Sequence, residues 1–275
     1  MTNRNMTRAE LDTVLDWAAA EGWNPGLTDA DAFFAADPDG FFVAEEDGQI
    51  VAAISVVNHT TDFAFLELYL CLPAYRGRGV GYRLWQHALR HAGNRTVGLD
   101  GVPDQQNNYR KSGFELAGQT LRHVGRFPGA MAPQVRAMNL ADLPALEALD
   151  LKVQGYARSA FLRPWLTGTD SRKTLVWDGG TGPKACITWR ACSDGAKIGP
   201  LMAPDMARAT DLLAAVATAV PDGPLIIDVD RAQTELSDWC AGHDMNVPFN
   251  TARMYKCPAP TGTPGISSVA TLELG

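Results

Sequence analysis

The sequence predicts a mixed α/β fold made of two similar units that follow one another along the chain. Strand-like and helix-like segments alternate, which is typical of a mixed sheet with parallel pairing around its later helices. The same order of signals returns after about 130 residues, a length at which each copy can form its own domain. The chain has 275 residues, of which 46% are hydrophobic and 20% charged, so it can bury two such cores.

The first unit opens with two helix signals. Thr7 and Glu10 have the spacing of a capping box, which predicts a helix over residues 8–20. The loop EGWNPG, rich in Gly and Pro, ends this helix. Thr28 is then expected to cap a second helix, from Asp29 to Ala36, which the turn DPDG terminates.

Strand signals dominate the middle of the first unit. FFVAEE and IVAAISVVN are typical of strands joined by the hairpin signal Asp47-Gly48, and FAFLELYLCL predicts a third strand that ends at Pro73. Apolar residues at helical spacing then predict a helix to about His91. A buried strand, a helix stopped by Gly113 and a returning strand follow at TVGLD, QQNNYRKSG and FELAGQTLRHV.

A stretch rich in Pro and Gly, FPGAMAP at residues 127–133, separates the two copies. We therefore expect a first domain at residues 1–130 and a second at residues 131–275. The second copy repeats the helix cap at Asn139 and Asp142. Its later strands and helices are expected, in order, at TLVWD, ACITWRACSDGAKIGPLM with a hairpin turn at Asp194-Gly195, DMARATDLLAAVATAV, PLIIDVD, TELSDWCAGHDM and ARMYK.

The charge and the cysteines argue against several classes of protein. A net charge of −7 disfavours general nucleic-acid binding, which needs a basic surface. No CxxC pair occurs, and an odd number of scattered thiols fits neither a disulfide framework nor a zinc site. No segment has the pattern of a signal peptide or a membrane span, so we expect a cytoplasmic protein without metal, nucleic-acid or membrane partners. The cysteines are Cys71, Cys186, Cys192, Cys240 and Cys257.

The stretch YRGRGVGY, residues 75–82, lies between a predicted strand and a predicted helix. Glycines before a helix leave backbone N–H groups free to bind an anion, and the helix dipole adds about half a positive charge there. Arg76 and Arg78 add two cations suited to phosphate oxygens. This combination predicts a site for a diphosphate or triphosphate group.

Three kinds of phosphate site use such a loop. A Walker P-loop is excluded because no Lys follows the glycines. The dinucleotide fingerprint G-x-G-x-x-G fits poorly, since its third glycine would fall on Tyr82 and the segment from Leu72 to Arg76 separates strand from loop. The third pattern, R-x-x-G-x-G after a strand that ends in Pro, matches the loop from Arg76 to Gly81.

Residues 41–126 resemble the GNAT-type N-acetyltransferases, which place this loop on the pyrophosphate of acetyl-CoA. The resemblance covers the strand FLELYLCLP, the loop, the helix behind it, TVGLD, and the ending YRKSGF. The loop EGWNPG is similar to one bacterial branch whose members carry a second, degenerate GNAT-like half. The resemblance implies direct transfer of an acetyl group from acetyl-CoA to an amine. Because the second copy has PDMARATD where the first has the glycine loop, we expect one cofactor site per chain.

The resemblance also implies which residues hold the cofactor. In this family a bulge splays the third strand from its neighbour, and the pantetheine arm pairs with the freed backbone. The loop N–H groups would bind the pyrophosphate. The family's frequent Asn, seven residues before the Tyr of YRKSGF, is Val102 here, and Asn107 or Asn108 is expected to replace its contact. The predicted cofactor-binding residues are Tyr69, Leu70, Cys71, Arg76, Gly77, Arg78, Gly79, Val80, Gly81, Tyr82 and Asn107.

Acetyl transfer to an amine needs a base for the amine and a proton for the leaving thiolate. Glu67 is the predicted base, although a solvated strand carboxylate would look the same in sequence. Strict strand alternation places Glu67 on the face of Tyr69 and Cys71. Tyr109 matches the family tyrosine that protonates the thiolate, although a packing aromatic before the Gly-Phe turn would look the same in sequence. His59, at the end of the preceding strand, is a second candidate base or a structural histidine.

The loop between the first two helices borders the acceptor site in this family. Trp23 is expected to wall an amine pocket by cation–π contact, with Glu21 pairing the charge and Asn24 beside them. The same three residues would also suit a packed helix–helix turn. The sequence does not identify the acceptor or the oligomeric state, and a non-catalytic acyl-CoA-binding sensor module stays as the alternative to an enzyme.

Overall fold

The computed structural model describes residues 1–263 and 265–275. The helices are α1 (Arg8–Ala20), α2 (Asp29–Ala36), α3 (Val80–Ala92), α4 (Gln106–Lys111), α5 (Leu143–Gln154), α6 (Ser159–Thr167), α7 (Met206–Ala219) and α8 (Thr234–Gly242). The strands are β1 (Thr2–Asn5), β2 (Phe41–Glu46), β3 (Gln49–Asn58), β4 (Phe63–Cys71), β5 (Thr96–Gly101), β6 (Glu115–Gly125), β7 (Val135–Ala137), β8 (Arg172–Asp178), β9 (Pro183–Ala191), β10 (Ala196–Ala203), β11 (Leu225–Asp230), β12 (Asn246–Lys256) and β13 (Ile266–Ser268).

The strands form one 13-stranded mixed sheet within the described residues. Their order is β1-β2-β3-β4-β5-β12-β6-β11-β10-β9-β8-β7, with β13 paired to β10. β4 pairs with β5 in parallel, and β10 pairs with β11 in parallel. Each parallel pair is connected through a helix, as parallel pairing requires. The predicted mixed α/β fold is therefore confirmed.

The two halves of the chain exchange their last strands. β12 of the second half lies between β5 and β6, with Arg253 opposite Asp100 of β5. β6 of the first half pairs with β11, with Arg122 opposite Asp228. Each half therefore supplies the strand that completes the other half's sheet. The division of the chain into two domains at residue 130 stays a prediction, because one continuous sheet runs through both halves.

The helix caps agree with the sequence patterns at Thr7 but not at Thr28. The Thr7 hydroxyl accepts from the N–H of Glu10 at 3.3 Å, and the Glu10 carboxylate accepts from the N–H of Thr7 at 2.8 Å, so the capping box is present. The expected cap by the Thr28 side chain is wrong. The Thr28 hydroxyl instead bonds to the hydroxyls of Thr169 and Ser171, at 2.8 Å each, and so links the first half to the second.

One hydrophobic core is shared by the two halves. α1 and α2 pack on one face of the first sheet half, together with α5 and α6 of the second half. The rings of Phe33 (α2) and Trp165 (α6) stack at 5.9 Å. α3 covers the opposite face of β2–β5, and α7 covers the opposite face of β8–β11. Burial of these apolar side chains, worth about 25 cal/mol per Å² removed from water, joins the halves.

Four elements have no counterpart in the sequence prediction: β1, α6, β7 and β13. Pro164 lies inside α6, and a proline inside a segment argues against a helix when sequence alone is read. The three strands have four or fewer residues each. Such short segments carry too little alternation to be recognised.

Candidate active site

A cavity opens where β4 and β5 separate. The two strands pair in parallel from Phe63↔Thr96 to Leu66↔Leu99 and no further. On its other side β4 has one extra residue, since Glu67 lies opposite Ser55 but Leu70 lies opposite Ala53. Leu68, inside this bulge, has a φ of 49°. The bulge turns the end of β4 away from β5, and a cavity of about 900 Å³ lies in the gap.

The bulge changes which face each residue of β4 occupies. Tyr69 and Cys71 pack with the α3 core, whereas Leu68 and Leu70 pack with α1 and α2. Before the bulge the even-numbered residues, such as Leu66, face α3. The expectation that Glu67 shares a face with Tyr69 and Cys71 is therefore wrong, because the extra residue reverses the alternation.

Most of the predicted site residues meet at this cavity. They come from the α1–α2 loop, β4, the glycine loop, the start of α3 and α4. The predicted residues that line it are Glu21, Trp23, Glu67, Tyr69, Leu70, Cys71, Arg76, Gly77, Gly79, Val80, Gly81, Tyr82 and Tyr109.

The glycine loop presents unpaired N–H groups to the cavity mouth. Gly77 and Gly79 have φ values of 73° and 74°, a region that glycine adopts without strain. Gly79 is the N-cap of α3 and has no side chain to bond the first turn. Among the described residues, the backbone N–H groups from Gly77 to Tyr82 donate to no acceptor. This end of α3 is therefore suited to bind an anion.

Arg76 is held at the edge of the cavity by two contacts. Its Nε donates to the carbonyl oxygen of Cys71 at 2.8 Å, and its guanidinium forms an ion pair with Glu21. Arg76 and Glu21, predicted for cofactor and acceptor respectively, are thus bonded to each other. Both side chains are exposed, so the pair is weak and can rearrange when a phosphate is present.

Three predicted residues lie away from the cavity lining. Asn24 bonds the backbone of Asp194, at 2.8 Å and 3.2 Å, and so holds the β9–β10 turn of the second half. Arg78 is exposed and lies over the ring of Tyr75 at 5.0 Å. Asn107 is exposed on α4 and accepts from Arg110 at 3.0 Å.

The position expected for Asn107 or Asn108 is taken by other residues. Val102 and Gln105 line the cavity, whereas the side chain of Asn108 donates to Gln105 at 2.9 Å. The short 3₁₀ turn at Pro103–Gln105 precedes α4 and turns its first asparagines to the surface. Of these three amide side chains, that of Gln105 belongs to a residue that lines the cavity, whereas Asn107 and Asn108 do not line it.

Glu67 lies in the gap between the separated strands. Its Oε1 accepts a hydrogen bond from the backbone N–H of Asp100, on β5, at 2.6 Å. Burial raises the pKa of the Glu67 carboxyl well above its ordinary value, and the nearby Asp100 carboxylate raises it further. The Asp100 carboxylate is itself paired with Arg253 of β12, at 2.7 Å and 3.0 Å.

Tyr109 lines the cavity from α4. Its ring stacks on Trp85 of α3 with centroids 5.5 Å apart, and a Cβ at Gly101 would lie 2.6 Å from this ring. Gly101 therefore makes the room that Tyr109 occupies. Burial raises the pKa of the Tyr109 hydroxyl, and the neighbouring Glu67 raises it further, so the hydroxyl keeps its proton near neutral pH.

His59 does not line this cavity. Its ring packs on Phe63 and Tyr156, with centroids 6.2 Å and 5.6 Å away, and its Nε2 lies 2.9 Å from the carbonyl oxygen of Leu274. Burial lowers the pKa of His59 to about 4, and the positive charge of Arg158 contributes. The structure favours the structural interpretation of His59 over the catalytic one.

The second half supplies part of the cavity wall, which the sequence prediction missed. Strand exchange brings Phe249 and Thr251 of β12 next to β5, and it brings Arg122 of β6 beside them. Arg122 lies over the Phe249 ring at 5.1 Å and pairs with Asp228 at 2.8 Å. No motif marks these residues, since their position depends on which strand enters the sheet. Pro248, Leu272 and Glu273 complete this wall.

Family comparisons agree with this architecture. Residues 8–114 match the acetyltransferase (GNAT) family, and residues 146–264 match an acetyltransferase (GNAT) domain. A holothin acyltransferase from Pseudoalteromonas sp. (strain SANK 73390) is 34% identical over 278 residues, which cover 100% of this chain and 94% of the relative. The chain therefore belongs to the GNAT family of acyltransferases and contains two GNAT domains in tandem, as the sequence predicts.

Solved structures show the same fold. An acetyltransferase-like protein from Pyrococcus horikoshii superposes with a TM-score of 0.84 at 16% identity, covering 100% of this chain and 95% of that one. A tandem GNAT protein from the clavulanic acid biosynthesis pathway has a TM-score of 0.65 at 14% identity, covering 96% and 99%. In the described part of the chain, no helix is long and apolar enough to cross a membrane, and no group of three or more His, Cys, Asp or Glu is arranged to hold a metal ion.

Proposed function

We propose that this protein transfers an acetyl group from acetyl-CoA to an amine, directly and in a ternary complex. The observation that carries the proposal is the meeting of Glu67 and Tyr109 in one cavity whose mouth is the glycine loop. A carboxyl with a raised pKa and a tyrosine that keeps its proton are the base and the acid that such a transfer needs.

The residues present fit acetyl-CoA as the acyl donor. The unpaired N–H groups from Gly77 to Tyr82, at the start of α3, suit the pyrophosphate. The edge of β4 at Tyr69–Cys71, free of β5, suits the amide groups of pantetheine. Gly81 leaves room for the Tyr69 hydroxyl, since a Cβ there would lie 2.6 Å from it. The thioester supplies the activated acyl group and the leaving thiolate.

Two side chains then handle the protons. Glu67 accepts the proton that the amine must lose before it can attack, and its raised pKa makes it a better base than an ordinary glutamate. Tyr109 donates a proton to the thiolate as the C–S bond breaks. Asp100, through its N–H, holds the Glu67 carboxylate in the gap. Trp23, Phe249 and Leu272 exclude water from the acceptor end of the cavity.

The acceptor is proposed to be a small-molecule amine, since the second half and the α1–α2 loop both contribute to the wall of the cavity. The relative named for holothin suggests this compound as one member of a test panel. A panel of small amines is incubated with acetyl-CoA while free thiol is measured. Amine-dependent thiol release supports the proposal, and tight acetyl-CoA binding without release on any amine would favour the sensor module instead.

The acyl chain is tested in the same assay. Acetyl-, propionyl- and longer acyl-CoA compounds are compared at equal concentration with one accepted amine. We expect the highest kcat/KM with acetyl-CoA. A clear preference for a longer chain would mean that the protein is an acyltransferase whose transferred group is not acetyl.

A further inference from the structure

The second half keeps the strand geometry of the cofactor-binding half. β10 has one extra residue opposite β9, since Ile198 pairs with Trp189 but Leu201 pairs with Ile187. Leu201 comes three residues before the proline that ends its strand, as Leu70 does in β4. β10 and β11 pair in parallel as far as Ile198 and then separate. The second half thus contains a cleft equivalent to that of the first.

The chain itself fills this second cleft. We call residues 265–275 the terminal segment. It contains β13, which pairs with the freed edge of β10 from Leu201↔Ser268 to Ala203↔Ile266. The N–H of Val269 donates to the carbonyl oxygen of Asp228, on β11, at 2.9 Å. Backbone of this chain therefore lies where the first half has room for pantetheine.

The start of the following helix is occupied as well. The carboxylate of Asp205 caps α7 by accepting from the N–H of Arg208 at 3.0 Å. In the first half the equivalent cap is Gly79, which has no side chain to occupy the place of the pyrophosphate. Both places that a cofactor would need in the second half are thus taken by protein groups.

Contacts hold the terminal segment on both sides of the residues that reach the first half. A Cβ on Gly199 would lie 2.1 Å from the carbonyl oxygen of Val269, so glycine is required for the segment to pass. The carbonyl oxygen of Ala270 accepts from Arg190 at 3.1 Å, and the carbonyl oxygen of Leu274 lies 2.9 Å from His59 Nε2. Between these anchors, Leu272 and Glu273 line the cavity of the first half.

Glu273 lines this cavity although it is only 4% exposed. Its side-chain hydrogen-bond partner among the described residues is the Thr271 hydroxyl. Burial opposes ionisation, but the positive charges of Lys197 and Arg190 outweigh it and lower the pKa of Glu273. Glu67, in the same cavity, has its pKa shifted in the opposite direction. Carboxyl groups whose environments differ in this way have different roles.

Given the amine acylation proposed above, we propose that the degenerate half anchors the terminal segment in its former cofactor cleft so that Glu273 and Leu272 recognise the acceptor. Glu273 binds the N–H or ammonium group of a small primary amine, and Leu272 and Phe249 contact its apolar body. Glu67 then takes the proton. The acceptor class is a compact amine with an apolar body, and neither residue contacts acetyl-CoA.

The test uses the amine that wild-type protein acetylates best in the panel above. We expect Glu273→Gln to raise the KM for this amine about tenfold or more, the effect of losing one hydrogen bond to a charged group. The Kd of acetyl-CoA, measured by calorimetry, is expected to stay within twofold of wild type. Glu273→Asp is expected to recover part of the loss. Glu235→Gln, an exposed glutamate on α8, is the control for loss of charge.

A second variant tests the anchor. Gly199→Ala changes no residue of the first half but displaces the terminal segment, so it is expected to raise the amine KM while leaving the Kd of acetyl-CoA unchanged. An unchanged amine KM in both Glu273→Gln and Gly199→Ala, or an equal loss of acetyl-CoA binding, would overturn the inference. If wild-type protein acetylates no amine, the proposed function fails instead, so the two failures are distinguishable.

Discussion

The carboxylate of Glu67 accepts a hydrogen bond from the backbone N–H of Asp100 at 2.6 Å, across the gap where two parallel strands part. The strands would normally continue their ladder at this point. The side chain of Glu67 thus satisfies a backbone donor that the bulge at Leu68 would otherwise leave without a partner. One carboxyl group serves both the fold of the splayed sheet and the proposed chemistry.

The first prediction concerns the pH dependence of this carboxyl. Glu67 can accept a proton only when ionised, so kcat/KM is expected to rise with pH through its folded pKa. Burial and Asp100 raise that pKa, while Arg253 opposes the shift, so the midpoint lies above the ordinary glutamate value of about 4.5. Glu67→Gln keeps an oxygen that can accept from the Asp100 N–H. In this variant the limb of the pH profile in which kcat/KM rises is expected to disappear, and kcat is expected to fall about 10²–10⁴-fold. A pH profile of the variant that still shows the same limb would contradict the assignment.

The same group makes a prediction about stability. In the unfolded chain Glu67 ionises near its ordinary pKa, whereas the folded protein resists its ionisation. Glu67 therefore destabilises the fold increasingly as pH rises from its unfolded pKa towards its folded one. Glu67→Gln is expected to raise Tm at pH 7 relative to wild type, with a smaller gain at pH 4. Equal Tm differences at the two pH values would show that the shift is absent.

Replacing Tyr109 is expected to lower kcat without changing the affinity for acetyl-CoA. Tyr109→Phe keeps the ring that stacks on Trp85 and fills the space left by Gly101, but it removes the proton for the thiolate. We expect kcat to fall about 10²-fold or more while the Kd of acetyl-CoA is unchanged. Rapid-quench measurement of the chemical step distinguishes slower acetyl transfer from slower product release. An activity within twofold of wild type would show that Tyr109 is not the acid that protonates the thiolate.

Cofactor stoichiometry distinguishes the two halves. Calorimetry with acetyl-CoA is expected to give one site per chain, because β13 and Asp205 occupy the equivalent places in the second half. Gly79→Trp places an indole at the start of α3 and strains a residue with φ of 74°, so it is expected to abolish binding. Binding at half the wild-type amplitude in this variant would reveal a second site.

The sequence alone could predict the features that short motifs specify. It could not predict the features that depend on the order of the strands in the sheet. Three of these motifs are local: the glycine loop, the capping box at Thr7 and the ending YRKSGF. Each one predicted the helix that the structure shows at its position. The reversed alternation after Leu68 could not be read, because a bulge is defined by the partner strand. Phe249 and Glu273 reach the cavity through strand exchange and the terminal segment, so their roles depend on pairings more than 100 residues apart, such as Arg253↔Asp100.

The last prediction concerns His59, which is half-buried against the terminal segment. Its unfolded pKa is about 6.5, whereas burial and Arg158 lower the folded pKa to about 4. Between these values the unfolded chain binds a proton that the folded chain does not, so stability falls as pH is lowered from 6.5 to 4. His59→Phe is expected to remove about one proton from this dependence in denaturant titrations. Some dependence will remain, because burial also lowers the pKa of His123. In folded protein His59 becomes charged only near its folded pKa of about 4, where it would repel Arg158, which donates to the carbonyl oxygen of Gly275. Because His59 also contacts Leu274 of the terminal segment, the acceptor KM of wild-type protein is expected to rise only as pH approaches 4, and His59→Phe is expected to suppress that rise.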